Sequence, residues 1–443
     1  MNRYWLKSGS FNFMQLVSTI ILAFGSYFML VRVVPKSDFG VWVLFLTITS
    51  IIEVARISLL QNGLVKYTAS ILKHEKSYLN TASLTLNILF TVLIILLLLA
   101  LSGYISRLLN SPQLKVMLYF YCITSIILIP FTQFSFMLQA NLNFKGLFIS
   151  VTSRHLLFFV LSFIVYLQLF EISLFQLVVF HAIAALLGSI TGFFVLRKQL
   201  IFSSQISWSW IVKLFKYGKY TVGTGLGSIL NSSVDQLMIG SIISSSSVAV
   251  YNAALRVPNL INIPANVIAT ILFPQSSKLD KSESQEKIRD YYERSVGINL
   301  AIIIPAVIFV LIFSELVITI IAGKNYIDAV QILKVMIIYT LMVPFGKQFG
   351  TILDSIGYPN LNFYVTILSA LANVVLNYFM IHSYGVMGAI YGTLISYILS
   401  LVVIHSILYK IIKVRPFVFV NHIISFYTKG FVSLRNYVFN RSE

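Results

Sequence analysis

Residues 81–106 read TASLTLNILFTVLIILLLLALSGYIS, a run without one acidic or basic side chain. About 20 such residues in a helix cross the hydrocarbon core of a bilayer with every backbone amide satisfied inside the helix, so this stretch reads as a membrane span. Runs of the same kind recur in both directions, at 10–34, 40–64, 114–138, 148–170, 174–197, 217–243, 248–274, 292–314, 327–352, 361–382 and 386–411. Together they predict twelve spans. The whole composition agrees: 58% of the 443 residues are hydrophobic and 10% charged. The mean hydropathy of +0.88 lies beyond the range of a soluble domain. The first run exceeds a signal-peptide core and lacks a small-residue cleavage site, so it is expected to stay as the first span.

The connections are short, and none has room for a soluble catalytic domain. Lysine and arginine gather in alternate connections: Arg3 and Lys7; Lys66, Lys73 and Lys76; Arg197, Lys198, Lys213 and Lys216; Lys278, Lys281, Lys287 and Arg289; Lys410, Lys413 and Arg415. With twelve spans these all fall on one side, which the positive-inside bias makes the cytoplasm, so both termini are expected there. The same bias accounts for the net charge of +18 and leaves no binding module for nucleic acid. Trp5, Trp42, Trp208 and Trp210 fall near span ends, where an indole prefers the headgroup level.

Cys122 is the lone cysteine, so an intramolecular disulfide and thiolate metal ligation are excluded. His74, His155, His181, His382, His405 and His422 are scattered without metal-ligand spacing. Walker, Rossmann and nucleophile-elbow motifs are absent. The expectation is a protein with no metal and no cofactor.

Compared with itself, the chain shows two similar halves. Asp38-Phe39-Gly40-Val41-Trp42 opens the second span as Ser247-Val248-Ala249-Val250-Tyr251 opens the eighth. Leu114-Lys115-Val116-Met117 recurs as Leu333-Lys334-Val335-Met336, Ile129-Pro130-Phe131 as Val343-Pro344-Phe345, and Asn141-Leu142-Asn143-Phe144 as Asn360-Leu361-Asn362-Phe363. The preserved order predicts halves of six spans, 1–200 and 201–412, in the same orientation. The tail 413–443, basic and aromatic, suits a cytoplasmic interfacial helix, with a thirteenth span as the rival.

Four further segments carry a resemblance: Tyr251-Asn252-Ala253-Ala254, Gly357-Tyr358-Pro359-Asn360, Asn373-Val374-Val375-Leu376-Asn377, and the run from Tyr384 to Thr393, YGVMGAIYGT. In order and spacing, over nearly the whole chain, they resemble the polysaccharide biosynthesis and export branch of the multidrug/oligosaccharidyl-lipid/polysaccharide superfamily, the O-antigen or capsule repeat-unit flippases. The resemblance implies an all-α integral membrane protein, two pseudo-symmetric six-helix bundles around a central cavity lined by the first, second, seventh and eighth spans. It implies a bacterial inner-membrane transporter, not an enzyme. Such a transporter moves undecaprenyl-diphosphate-linked oligosaccharide to the outer leaflet for O-antigen, lipopolysaccharide or capsule assembly, alongside a polysaccharide polymerase and a chain-length regulator.

Ionisable groups inside spans cost roughly 2.5–3.5 kcal/mol each by insertion scales, so they mark partners or water-filled paths. Arg32, Arg56, Arg256 and Lys347 are the candidates for holding a diphosphate, because that group calls for cations. Asn12, Gln15, Gln61, Asn231 and Asn262 are the candidates for contacting sugars. Glu53 and Asp235 are candidates for ion coupling, or for ion pairs with Arg56, three residues on, and with Arg256. Neutralised pairs that only hold helices together are the plainer alternative for each. Arg154 and His155 read as a span-end anchor, and Gly223, Gly225 and Gly227 as helix packing. Pro130, Pro258, Pro264, Pro305 and Pro344 are expected to interrupt spans.

A cation-coupled multidrug exporter of the same superfamily would instead use Glu53 or Asp235 and would be opposed by the arginine-rich candidates. A membrane polysaccharide polymerase or ligase would need a long external loop, which is missing.

Overall fold

A computed structural model describes residues 3–72, 75–168, 172–277 and 285–439. Among the described residues all regular structure is helical. The elements are α1 (Arg3–Val33), α2 (Lys36–Thr68), α3 (Lys76–Leu108), α4 (Gln113–Ala140), α5 (Phe144–Tyr166), α6 (Leu174–Leu196), α7 (Trp208–Ile242) and α8 (Ser245–Ile261). There follow α9 (Ile263–Ser276), α10 (Gln285–Ile312), α11 (Ser314–Ala322), α12 (Ala329–Tyr339), α13 (Val343–Ser355), α14 (Pro359–Tyr384), α15 (Val386–Ile412) and α16 (Val418–Phe439).

Among the described residues ten segments are long and apolar enough to cross a membrane, with Ser245–Phe273, which joins α8 and α9, counted as one; α12 and α13, bent by 42°, would make an eleventh. The expected span at 217–243 is α7, a 35-residue helix. It does not pass that test, because Ser228, Asn231, Ser232, Ser233, Asp235 and Gln236 dilute its apolar run. Proline explains the breaks: α8 carries Pro258 near its end, and α9 and α13 carry Pro264 and Pro344 in their first turn, where a missing N–H costs nothing. Pro130 and Pro305 differ from expectation, since α4 and α10 run through them.

By internal packing the chain forms two compact units, Met1–Ala249 and Val250–Glu443. In the first, α2 packs against α4, α7 and α3, α1 lies along α5, and α4, α5 and α6 pack together. Lipid is as apolar as leucine, so close approach and interhelical hydrogen bonds drive this packing. A Cβ at Gly218 would stand 2.3 Å from the Leu59 carbonyl oxygen, so the absence of a side chain lets α7 touch the α2 backbone. Asn87 donates to Thr132 Oγ1 at 3.0 Å and Asn80 to the Ile201 carbonyl at 3.0 Å, tying α3 to α4 and to the chain beyond α6. The Asn143 side chain caps α5 by accepting from the Gly146 N–H at 3.0 Å, and Ser173 with Gln176 forms a capping box on α6. Outward, Leu89, Leu93, Leu96 and Leu97 of α3 are exposed, an apolar face suited to lipid.

In the second unit α14 and α15 form the closest pair. Two of the four segments that carry the family resemblance, 373–377 and 384–393, are its packing device. Gly385, at φ +59°, turns the chain, and a Cβ at Gly388 would stand 1.9 Å from the Met380 carbonyl oxygen. Asn373 donates to Thr393 Oγ1 at 3.0 Å, and Asn377 to Asn373 Oδ1 at 3.2 Å.

The tail helix α16 packs against α10. Glu293 accepts from the Arg415 N–H at 2.9 Å and from its Nη2 at 3.1 Å. Higher on α10, the Tyr427 hydroxyl donates to the Ala301 carbonyl. That carbonyl would ordinarily accept from the N–H four residues on, which Pro305 lacks. A tail side chain therefore satisfies an acceptor that a proline leaves open.

Candidate functional site

Glu53 and Arg56 share one face of α2, turned into the first unit. Arg56 is wholly enclosed, with its side chain 0% exposed against 19% for Glu53, and its Nε lies 3.8 Å from Glu53 Oε1. Its Nη1 reaches the Ser125 carbonyl of α4 at 3.4 Å, and its guanidinium sits 5.7 Å from the Phe90 ring of α3. Nε and Nη2 of Arg56 and Oγ of Ser125 have no hydrogen-bond partner among the described residues. Glu53 accepts a 2.7 Å hydrogen bond from the Tyr121 hydroxyl of α4.

A second guanidinium adjoins them. Arg154 of α5 is within electrostatic reach of Glu53 and Tyr121. Its Nη2 lies 3.1 Å from His181 Nε2 on α6, and its guanidinium 4.9 Å from the Phe131 ring. An arginine nitrogen only donates, so His181 Nε2 accepts and the imidazole is neutral with its proton on Nδ1. The approach of α5 to α6 that permits this depends on Gly188, whose Cβ would stand 3.1 Å from Arg154 Cβ. The cluster thus sets Glu53 beside the wholly enclosed Arg56, with the half-buried Arg154 within electrostatic reach, so positive charge exceeds negative there, and such charge is sustained only with partners or an anion at hand.

The remaining candidates lie elsewhere. Arg32 ends α1, donating to the Phe28 carbonyl at 2.6 Å with its guanidinium 3.5 Å from that ring. Gln61 hydrogen-bonds to Gln139 of α4. Asn12 is exposed and Gln15 half-buried on α1; the side chain of Asn231 is outside the described residues. Asp235 is buried on α7, beside Gln236, which accepts from Thr47 of α2 at 3.3 Å. In the second unit Arg256 is half-buried on α8, Asn262 sits at the break between α8 and α9 without a side-chain capping hydrogen bond, and Lys347 is exposed on α13. Asp354 accepts from Asn362 at 3.0 Å.

The sequence does not single out Tyr121, Ser125 and His181 as site residues, and it reads Arg154 as a span-end anchor, whereas the structure joins all four near Glu53 and Arg56. The usable signal was an arginine and two histidines, Arg154, His155 and His181, within apolar runs. Glu293, 2% exposed beneath Arg415, was also missed. Outside the spans, the hydrogen bond and charge of Glu293 raise the proton affinity of the Arg415 guanidinium.

Residues 29–331 match a family model described as polysaccharide biosynthesis protein. Over 189 residues the chain is 28% identical to a probable low-salt glycan biosynthesis flippase of Haloferax volcanii, covering 43% of this chain and 40% of that one. Over 344 residues it is 21% identical to a lipopolysaccharide biosynthesis protein of Escherichia coli, covering 76% of this chain and 68% of the other. Matches to the first three curated relatives cover 40%, 39% and 50% of their lengths. Of solved structures, a lipid II flippase in an inward closed conformation superposes with a TM-score of 0.76 at 15% identity, covering 94% of this chain and 89% of that one. An inward-facing multidrug resistance transporter of the MATE family superposes with 0.74 at 16% identity, covering 90% and 98%. At these identities the likeness is one of fold, and the chain is a multi-pass membrane protein of that fold.

Proposed function

This chain belongs to the polysaccharide biosynthesis protein family, and from that premise we propose that it flips undecaprenyl-diphosphate-linked oligosaccharide repeat units from the cytoplasmic to the outer leaflet of the inner membrane. It does so by alternating access of its halves, 1–200 and 201–412, for O-antigen, capsular or exopolysaccharide assembly. Relatives named for lipopolysaccharide, capsular polysaccharide and teichuronic acid biosynthesis support this. The observation that carries it is the arginine surplus around Glu53: a transporter core that sets one enclosed and one half-buried guanidinium against a single carboxylate favours anionic cargo over cationic.

In this reading Arg32, Arg256 and Lys347 offer cations to the diphosphate, and Arg56 joins them when α2 moves off Ser125. Asn12, Gln15, Gln61, Asn231 and Asn262 hydrogen-bond to the sugars. Glu53 and Asp235 supply carboxylates for ion coupling, both termini are cytoplasmic, and the tail 413–443 belongs to that side. A polysaccharide polymerase and a chain-length regulator take up the exported units.

The test is the leaflet location of repeat units in cells lacking the protein, read with a membrane-impermeant probe of the sugar head. Accumulation facing the cytoplasm, with loss of surface polysaccharide, is the expected result; units that still reach the outer face overturn it. A cation-coupled multidrug exporter is the second reading, favoured by the partly open Glu53 under the Tyr121 hydroxyl. It predicts that cells lacking the protein become sensitive to organic cations while export of repeat units continues.

A further inference from the structure

The adjoining ends of α2 and α7 carry a second constellation, distinct from the buried cluster. The Tyr67 ring stands edge-on to Trp210, 5.7 Å between centroids at 62°, and to Tyr217, 6.1 Å at 69°. Lys66 Nζ lies 4.5 Å from the Tyr217 ring centre and 5.6 Å from that of Tyr67. Lys213 Nζ lies 4.4 Å from the Trp210 ring centre and 5.0 Å from that of Tyr67. Two ammonium groups therefore converge on one phenol ring, both exposed, and the three rings are half-buried. Neither lysine is paired with a carboxylate among the described residues.

We propose that this is an entry platform that captures the sugar-bearing diphosphate head of a lipid-linked saccharide before transport. The proposal rests on the flippase reading and on the topology that puts this end in the cytoplasm. Ammonium groups beside ring faces with no carboxylate partner are open to an anionic ligand, and two of them at one place suit a group with two or more negative charges. Ring surfaces beside them offer stacking to the apolar faces of a sugar. Positions 210, 213 and 217 share one face of α7, and the close packing below them at Gly63, Leu214 and Gly218 fixes that face to α2, so little ordering remains to be done on binding. Anchoring to an anionic leaflet would need only scattered cations, which Lys216 and Lys219 already supply.

The full-length protein in phosphatidylcholine nanodiscs is titrated with undecaprenyl diphosphate carrying one N-acetylglucosamine and, separately, with phosphatidylglycerol, with binding read by native mass spectrometry. K66Q/K213Q is expected to weaken glycolipid binding by about tenfold, K66R/K213R to restore it, and phosphatidylglycerol binding to change little. Tyr67→Leu is expected to weaken the glycolipid more than undecaprenyl diphosphate without sugar. A second measurement needs no variant: the glycolipid should shield Lys66 and Lys213, but not Lys115, from an amine-acetylating reagent. Unchanged glycolipid binding in K66Q/K213Q, absence of shielding, or an equal loss of phosphatidylglycerol, which marks a leaflet anchor, overturns the platform. If cells lacking the protein retain repeat units inside while the lysine variant binds normally, the platform falls and the flippase reading stands.

Discussion

In the first unit Arg56 is the enclosed partner and Glu53 reaches the edge, 0% against 19% exposed; in the second, Glu293 is enclosed at 2% and Arg415 lies open at 54%. The buried carboxylate is saturated locally, by the backbone N–H and the guanidinium of one residue. The buried guanidinium is not, since two of its three nitrogens have no hydrogen-bond partner among the described residues and a second arginine stands near the same carboxylate. The first arrangement is a clamp between α10 and the segment leading to α16. The second stores charge that a change of packing or an arriving anion can use, which is why the functional proposal rests on it.

The contrast is open to breaking. Glu53→Ala is expected to have the largest effect, because it strands both Arg56 and Arg154; losing one member of a buried pair costs about 3–5 kcal/mol. It should appear as a lower melting temperature and abundance, and Arg56→Ala should cost less, because Glu53 keeps the Tyr121 hydroxyl and its partial exposure. Equal losses would mean that the two sides of the cluster are equivalent. In the second unit the exposed cation should matter more than the buried anion's charge: Arg415→Ala is expected to lower the melting temperature more than Glu293→Gln. The reverse order would end the description of this pair as a carboxylate-centred clamp.

The smallest expected effect sharpens the account of the tail. Tyr427→Phe should cost about 1 kcal/mol, a typical hydrogen bond between membrane helices. In a Pro305→Ala background the same change should cost almost nothing, since an alanine at that position would supply the N–H that the Ala301 carbonyl lacks. A double-mutant cycle on melting temperatures reads the difference.

Most of the helices were legible in the chain because length of apolar run alone decides a span. Where the runs contained prolines, the linear reading does not show the outcome: Pro264 and Pro344 lie in the first turns of new helices, while Pro130 and Pro305 stay inside α4 and α10, and Tyr427 satisfies the carbonyl that Pro305 leaves open. The Glu53–Arg56 pair was legible from i, i+3 spacing on one helix. Tyr121, Arg154 and His181 come from three other helices, and nothing in their local sequence says which helices pack together. Asn373, Asn377 and Gly388, which carried the family resemblance, prove to be contacts between α14 and α15, so the segments that suggested a function hold the scaffold for it.

The hydrogen bond from Tyr427 to Ala301 also sets an order of events. Ribosomes complete α10 more than a hundred residues before they reach position 427. During that interval the Ala301 carbonyl lacks both the N–H that Pro305 cannot offer and the hydroxyl of Tyr427. The last helix therefore completes the hydrogen bonding of a helix made long before it, and a chain cut short just before α16 would leave the Ala301 carbonyl without the donor that Tyr427 supplies.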